Sequence, residues 1–365
     1  MRPCVSVIIP MYKGQKYIYG ITKMMESIQR KSQNVILEVI LVNDYPEEQI
    51  SLLSSSEIQV KLLVNEENRG IHQSRVNGLN ASNGEYIVFL DQDDNLDADF
   101  IKEMSTNIQG YDAVFCDGVW RNSEKILSNP KIKKMKYTLD EYESYGYPLV
   151  STGQMMIKKS KIPELWTTNI MNKNGWDDHL LWILMLVNNL KIKMVDKELY
   201  THVENGNNES FNWEGMACSG ENFIEIIKKL DFMDDDVRDI IINKANLKIA
   251  KYKKYDELEK RMLVTSPKAI IEKLTSRGVS KIAIYGYGVY GRRLYNIIKD
   301  STVSVCYAID RNSKNKNDEI PIFDSIKDSI FIDAIIVTPV FEYDEIASSL
   351  NKETKKDIIS LLDIL

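Results

Sequence analysis

The chain has 365 residues, 44% of them hydrophobic and 27% charged, a composition that builds a buried core and excludes a disordered chain. That length accommodates about two domains. A net charge of −6 and a pI near 5.4 exclude a general nucleic-acid binder, which presents a basic face.

Cys4, Cys116, Cys218 and Cys306 are scattered. They offer no CxxC zinc site and fit reduced thiols in a cytosolic protein. Three histidines, His72, His179 and His202, are too few for a His-rich metal site. The apolar run over 4–10 is too short for a signal peptide. The longest apolar stretches, such as 35–42, fall far below the roughly 18–20 residues of a membrane span. A cytoplasmic location is expected, and any membrane contact would be peripheral, at the inner face.

In chain order, 5–9 reads as a strand closed by Pro10. Residues 18–30 place Ile21, Met24, Met25 and Ile28 at helical spacing. Residues 37–42 form a second strand ended by Asn43-Asp44, and 60–64 a third. A helix begins at 72–80. Residues 86–90 are continuously apolar, as in a strand covered on both faces. Strand–helix alternation of this kind implies a mostly parallel sheet, hence an α/β fold.

Three strands end in polar or acidic groups at the same relative place: Pro10-Met11-Tyr12, Asn43-Asp44 and Asp91-Gln92-Asp93. Parallel strands would bring these ends to one edge, where open α/β sheets bind ligands. Asp91 and Asp93 are two apart and share a face on extended backbone. Two hard oxygen ligands there suit Mg²⁺ or Mn²⁺, which would hold phosphates. The plainer alternative is a solvated acidic turn with Asp94 capping the next helix.

Further along, 113–116 is strand-like and is followed by Lys- and Asn-rich sequence. Residues 150–157 look like a loop entering a strand. Asn174-Gly175-Trp176-Asp177-Asp178-His179 precedes an apolar, helix-like run over 180–187. From 221 to about 260 the pattern is helical and charged, without Pro or Gly, as in an amphipathic connector. Its Lys251, Lys253 and Lys254 could meet an acidic membrane surface, but nearby Asp and Glu dilute their charge. A second α/β unit starts near Ser266-Pro267. A strand over 281–285 leads into a G-x-G-x-x-G loop, Gly286, Gly288 and Gly291. A helix over 292–298 and a strand over 303–309 follow, ending at Asp310, nineteen positions after Gly291. Residues 334–337 read as a further strand.

Five segments, in order, resemble the family 2 glycosyltransferases with the GT-A fold: Val5-Ser-Val-Ile-Ile-Pro-Met-Tyr12, Glu38-Val-Ile-Leu-Val-Asn-Asp44, Asn68-Arg-Gly-Ile-His-Gln-Ser-Arg75 with Asn77-Gly78, Ala81-Ser-Asn-Gly-Glu-Tyr-Ile-Val-Phe-Leu-Asp-Gln-Asp-Asp94, and Trp176-Asp-Asp178. The resemblance covers about the first 210 residues and implies inverting, metal-dependent transfer from a nucleotide-sugar, a UDP-sugar, to a glycan or lipid-linked acceptor in surface polysaccharide synthesis. It implies that Pro10 and Tyr12 shape the base and ribose pocket, that Asp44 accepts a hydrogen bond from the base, and that Arg75 lies against base or diphosphate. Asp91 would contact ribose or the metal, Asp93 would bind the metal, and Asp178 or Asp177 would be the general base. A late histidine often completes the metal site, and His202 lies in that region, before an Asn/Ser-rich loop. His72 is expected on a helix face and His179 packed near the base.

Some features depart from the family pattern or stay open. The family often has Asp-Asp-Gly-Ser where this chain has Asn43-Asp44-Tyr45-Pro46, and Glu-Asp where it has Asp177-Asp178. The two aspartates also suit a helix N-terminus, and Trp176 fits either a sugar platform or the core. The last ~100 residues resemble small Rossmann-like domains found beside sugar-modifying enzymes. There Gly286, Gly288, Gly291 and Asp310 would hold a nucleotide, or the domain would serve structure or assembly. The expected organisation is a transferase domain over 1–215, a helical connector over 216–265 and a Rossmann-like domain over 266–365. Rival readings are a dinucleotide-using enzyme and a non-catalytic sugar-nucleotide binder. The oligomeric state is left open, a homo-oligomer included.

Overall fold

The computed structural model describes residues 2–121, 126, 132–203, 212–310 and 319–365. The chain divides into two compact units, Met1–Ile249 and Ala250–Leu365.

The first unit is built on an eight-stranded sheet: β1 (Cys4–Met11), β2 (Ile36–Asn43), β3 (Gln59–Val64), β4 (Tyr86–Phe89), β5 (Asn95–Leu96), β6 (Ala113–Trp120), β7 (Met155–Lys158) and β8 (Ile192–His202), in the order β3-β2-β1-β4-β7-β6-β8-β5. Its helices are α1 (Ile18–Lys31), α2 (Gly70–Ala81), α3 (Phe100–Asn107), α4 (Leu139–Tyr145), α5 (Glu164–Thr168), α6 (Asp177–Val187), α7 (Trp213–Lys228) and the start of α8 (Asp235–Val264). β3, β2, β1 and β4 run parallel, as the strand–helix alternation predicts. Met11 pairs with Asn43 and Ile8 with Phe89, so the polar strand ends do meet at one edge. β7 then enters antiparallel to both β4 and β6.

β1 and β2 are buried almost end to end, which explains their unbroken Val, Ile and Leu runs. One face packs Ile21, Met25 and Ile28 of α1 beneath Val5, Val7 and Val39. α2 lies close to β1 and β2 at Gly78, where an added Cβ would sit 2.3 Å from the Ile8 side chain. The two segments of sequence thus fit each other only with glycine there.

Two expectations need revision. β6 continues to Trp120 because it pairs with β8 along its whole length. The charged stretch over 221–260 is not one helix: it breaks between α7 and α8. α7 ends at Lys228, and the Asp234 side chain, accepting the Asp236 N–H at 3.0 Å, starts α8 afresh.

The second unit contains α9 (Pro267–Ser276), β9 (Lys281–Tyr285), α10 (Val289–Ile298), β10 (Ser304–Ile309), β11 (Ile322–Phe323), β12 (Ala334–Val337), α11 (Tyr343–Glu353), β13 (Asp357–Ser360) and α12 (Leu361–Ile364). Its five strands are all parallel, in the order β11-β10-β9-β12-β13. Counted within the unit this is 3-2-1-4-5, the doubly wound order in which the first loop lies at the topological switch point. Among the described residues, no helix is long and apolar enough to cross a membrane.

Candidate functional site

The three carboxylates after β4 occupy a turn, not extended backbone: Asp94 N–H donates to the Asp91 carbonyl at 3.2 Å. Asp91 and Asp93 therefore do not share a strand face, and it is the turn that gathers Asp91, Asp93 and Asp94. Asp94 does not cap α3, whose N-cap is Asp99. It is buried and ties the turn to the end of β8, accepting from the Tyr200 hydroxyl and, at 2.9 Å, from Val203 N–H. His202 Nδ1 lies 3.1 Å from Asp94 Oδ1. Burial opposes charge on His202, but its bond to Asp94 and the charges of Asp94, Asp91 and Asp93 outweigh that and raise its pKa. The Asn/Ser-rich loop after His202 lies outside the described residues.

Asp93 is half-buried. Burial, then Asp94 and Asp91, push its carboxyl up to about 6. Crowded negative charge of this kind is what a divalent cation relieves, and carboxylate oxygens suit Mg²⁺ or Mn²⁺. Among the described residues no three His, Cys, Asp or Glu side chains are gathered into a metal-holding group, so the fit to such an ion rests on the Asp93 carboxylate with the charge around it.

Asp91 faces the other way. Its Oδ1 accepts from Arg75 Nη2 at 2.7 Å and its Oδ2 from the Ser151 hydroxyl at 2.9 Å. Arg75 is only 4% exposed at its side chain, and its Nη1 donates to Asp177 Oδ2 at 2.6 Å. One guanidinium from α2 thus joins the acidic turn to the start of α6. Arg75 is committed to carboxylates rather than laid against a base.

Asp177 is buried, and burial alone would raise its pKa. Arg75 more than offsets that, so Asp177 stays ionised, below the usual carboxylate range. Asp178 is only half-buried. Burial and then the adjacent Asp177 push it up to about 6, close to the operating range of a general base. The two aspartates therefore divide: Asp177 is paired with Arg75 and stays ionised, whereas Asp178 is pushed up by its surroundings. Both also stand in the first turn of α6, where negative charge is favoured. Trp176 is 1% exposed, packed on Phe223 and His179, and so belongs to the core. His179 is buried, stacked against Tyr147, Trp176 and Phe223. Burial holds its pKa well below the usual range, so it is neutral. His72 is also buried rather than on an open helix face, accepting Met171 N–H at 3.0 Å.

At the other end of the edge, Asp44 takes the N–H groups of Arg69 and Gly70, both at 2.8 Å, and Asn65 Nδ2 at 2.7 Å. It anchors the start of α2, and its four lone-pair sites leave room for one more donor. Asn43 closes its own turn by accepting Tyr45 N–H at 3.0 Å. Pro10 is buried within β1. Tyr12 is 45% exposed, with its ring centroid 5.1 Å from that of Tyr45. Gln92 pins Tyr12 through both its backbone N–H and its carbonyl, at 3.1 and 3.0 Å. The aromatic surface and the acidic turn are therefore fixed to one another.

Residues 6–181 match the family described as Glycosyl transferase family 2. That part of the chain is a family 2 glycosyltransferase domain. Glycosyltransferase GlyG of Streptococcus pneumoniae serotype 4 is 25% identical over 245 residues, spanning 65% of this chain and 70% of GlyG. Glycosyltransferase GlyA of the same organism is 25% identical over 218 residues, 54% of this chain but only 30% of GlyA. A solved structure of S. aureus TarS 1-349 in complex with UDP-GlcNAc is similar at a TM-score of 0.50 and 17% identity, covering 73% of this chain and 78% of that one. That likeness is one of fold, the GT-A fold.

Sequence reasoning overlooked several residues of this family 2 site. Ser151, Tyr200 and Gln92 hold the acidic turn from distant positions in the sequence. Gly153 is the one legible trace of this: a Cβ there would meet the Tyr200 ring at 2.7 Å, so glycine is required where the 150–154 loop slides under the turn.

In the second unit, Gly286 adopts φ +86° and Gly291 packs so closely that a Cβ would lie 2.3 Å from the Gly286 carbonyl oxygen. At Gly288 an added Cβ would meet nothing within 4 Å among the described residues. The loop has the turn, the open middle and the tight helix contact of a phosphate-binding fingerprint. Asp310, however, is turned onto the loop itself, its Oδ2 accepting Tyr287 N–H at 2.8 Å.

Proposed function

We propose that the enzyme transfers a sugar, with inversion, from a UDP-sugar to a hydroxyl of a glycan or lipid-linked acceptor in the building of a surface polysaccharide. The observation that carries this is the Arg75 bridge. It holds an acidic turn suited to a diphosphate-bound cation and an aspartate poised near pH 6 on one framework.

The base of the donor would rest on Tyr12 and Tyr45, with the spare acceptor capacity of Asp44 meeting its N–H. Asp93, with His202 beside the same turn, would hold Mg²⁺ or Mn²⁺, while Asp91 keeps its oxygens on Arg75 and Ser151. When bound, such an ion supplies charge neutralisation for a leaving diphosphate. Asp178 takes the proton of the acceptor hydroxyl as that oxygen bonds to the anomeric carbon. The bond from that carbon to the diphosphate oxygen breaks in the same displacement, its electron pair leaving with the nucleoside diphosphate. Asp177 keeps Arg75 in place throughout and does not change protonation.

Calorimetric titration with UDP, GDP and CDP, with and without Mn²⁺, on wild type and Asp93→Ala tests the donor half. Manganese-dependent UDP binding that Asp93→Ala abolishes supports it; binding that ignores both metal and substitution refutes it.

The open turn at Gly288 favours a second ligand, a nucleotide, in the second unit, although Asp310 already serves the loop. NAD or UDP binding that survives Asp93→Ala and is lost in Gly288→Val would support this reading.

A further inference from the structure

Tyr147 lies on the segment after α4, and its ring stacks on His179 with centroids 4.9 Å apart and planes 28° from parallel. Asp178 is the residue before His179, in the first turn of the same helix. The hydroxyl oxygen is buried and makes no hydrogen bond of normal geometry among the described residues, yet it is close enough to Asp178 for each to shift the other's titration. A buried hydroxyl left without a partner costs about 1–3 kcal/mol, a cost that turning it onto the Asp178 carboxylate would relieve.

The charged and titratable groups around Asp178 are few. Asp177 stands on its own helix, Arg75 comes from α2, Lys248 from α8 and Tyr147 from the segment after α4. Neutral His179 donates its backbone N–H to Asp178 Oδ1 at 2.7 Å. Burial and the neighbouring carboxylates hold the Tyr147 hydroxyl protonated at every working pH. It can therefore only donate toward Asp178 or accept from an incoming hydroxyl.

We propose that Tyr147 is a positioning residue for the general base: its hydroxyl donates to the Asp178 carboxylate, orienting it toward the acceptor and keeping it ionised at neutral pH. The proposal rests on the reading of Asp178 as the base. A donor to the ionised form lowers a carboxyl pKa. Without it Asp178 titrates higher, and less base is available at pH 7.

The test is a carboxyl-carbon NMR titration of protein labelled with ¹³C-aspartate, in wild type, Tyr147→Phe and Asp178→Asn. The resonance missing from Asp178→Asn identifies Asp178. Tyr147→Phe keeps the stack on His179, and its midpoint should rise by half a unit or more, about a threefold change in proton affinity. Wild type made with 3-fluorotyrosine, a more acidic phenol and a better donor, should shift the midpoint the other way, and this arm needs no substitution to fold. Midpoints unmoved in both proteins would overturn the proposal. UDP release from a UDP-sugar separates the underlying reading: full activity in Asp178→Asn refutes Asp178 as base, whatever Tyr147 does to its titration.

Discussion

Arg75→Met is the sharpest test of how this site is held together. The substitution removes both ends of a bridge, at 2.6 Å to Asp177 and 2.7 Å to Asp91. Asp91 can turn to water, since its side chain is 24% exposed, but that of Asp177 is only 3% exposed. Stranding one buried member of an ion pair costs about 3–5 kcal/mol. For a unit of this size that is a drop of roughly 6–20 °C in Tm. The sign with pH is fixed by Asp177. In wild type its pKa lies below the unfolded value, so its contribution is present above about pH 4 and lost only as pH falls through the folded value. Without Arg75, burial raises it instead, and stability is lost as pH climbs from the unfolded value through the raised one. The deficit of the variant should therefore be largest at pH 7 and shrink toward pH 4–5. All five tryptophans, Trp120, Trp166, Trp176, Trp182 and Trp213, lie in the first unit, so urea unfolding followed by tryptophan fluorescence reads this unit alone. Adding Asp177→Asn should recover much of the loss, because an amide has no charge to strand. A deficit under about 1 kcal/mol at pH 7, the range of an exposed pair, or one that does not vary with pH, would refute the reasoning.

Other consequences can be checked more briefly. Asp178→Asn should lower kcat for UDP-sugar turnover by about 10²–10⁴-fold while leaving UDP affinity within twofold of wild type, and wild-type kcat/KM should fall tenfold per pH unit below about 6, where Asp178 gains its proton. Asp93 titrates in the same range, so Mn²⁺-dependent UDP binding measured by calorimetry should weaken below pH 6 as protons compete with the ion. Gly153→Ala, which would push a methyl to 2.7 Å from the Tyr200 ring, should cost about 1–3 kcal/mol of unfolding free energy and weaken Mn²⁺ binding by displacing the Tyr200–Asp94 contact.

The strands of the transferase sheet were legible because β1, β2 and β4 are buried on both faces and must be apolar throughout. Their shared edge was legible because parallel strands that end in polar residues converge there. The pair Asp177-Asp178 at the head of an apolar helix was legible too, though not which of the two Arg75 would engage. Other features had no local signature. The start of α8 is set by one capping aspartate in a run otherwise favourable to helix. Ser151 reaches Asp91 across 60 positions and Tyr200 reaches Asp94 across 106, and no periodicity encodes such pairings.

By itself, the sequence determined which elements form and which edge of the sheet carries carboxylates, since both follow from the period and burial of short segments. Tertiary structure alone decided what each acid does. Asp177 and Asp178 are adjacent and chemically identical, yet one faces a buried guanidinium and the other a half-open site beside Tyr147. Their pKa values diverge because charge and burial act through space, from partners on α2, α8 and the segment after α4 that the order of residues does not reveal.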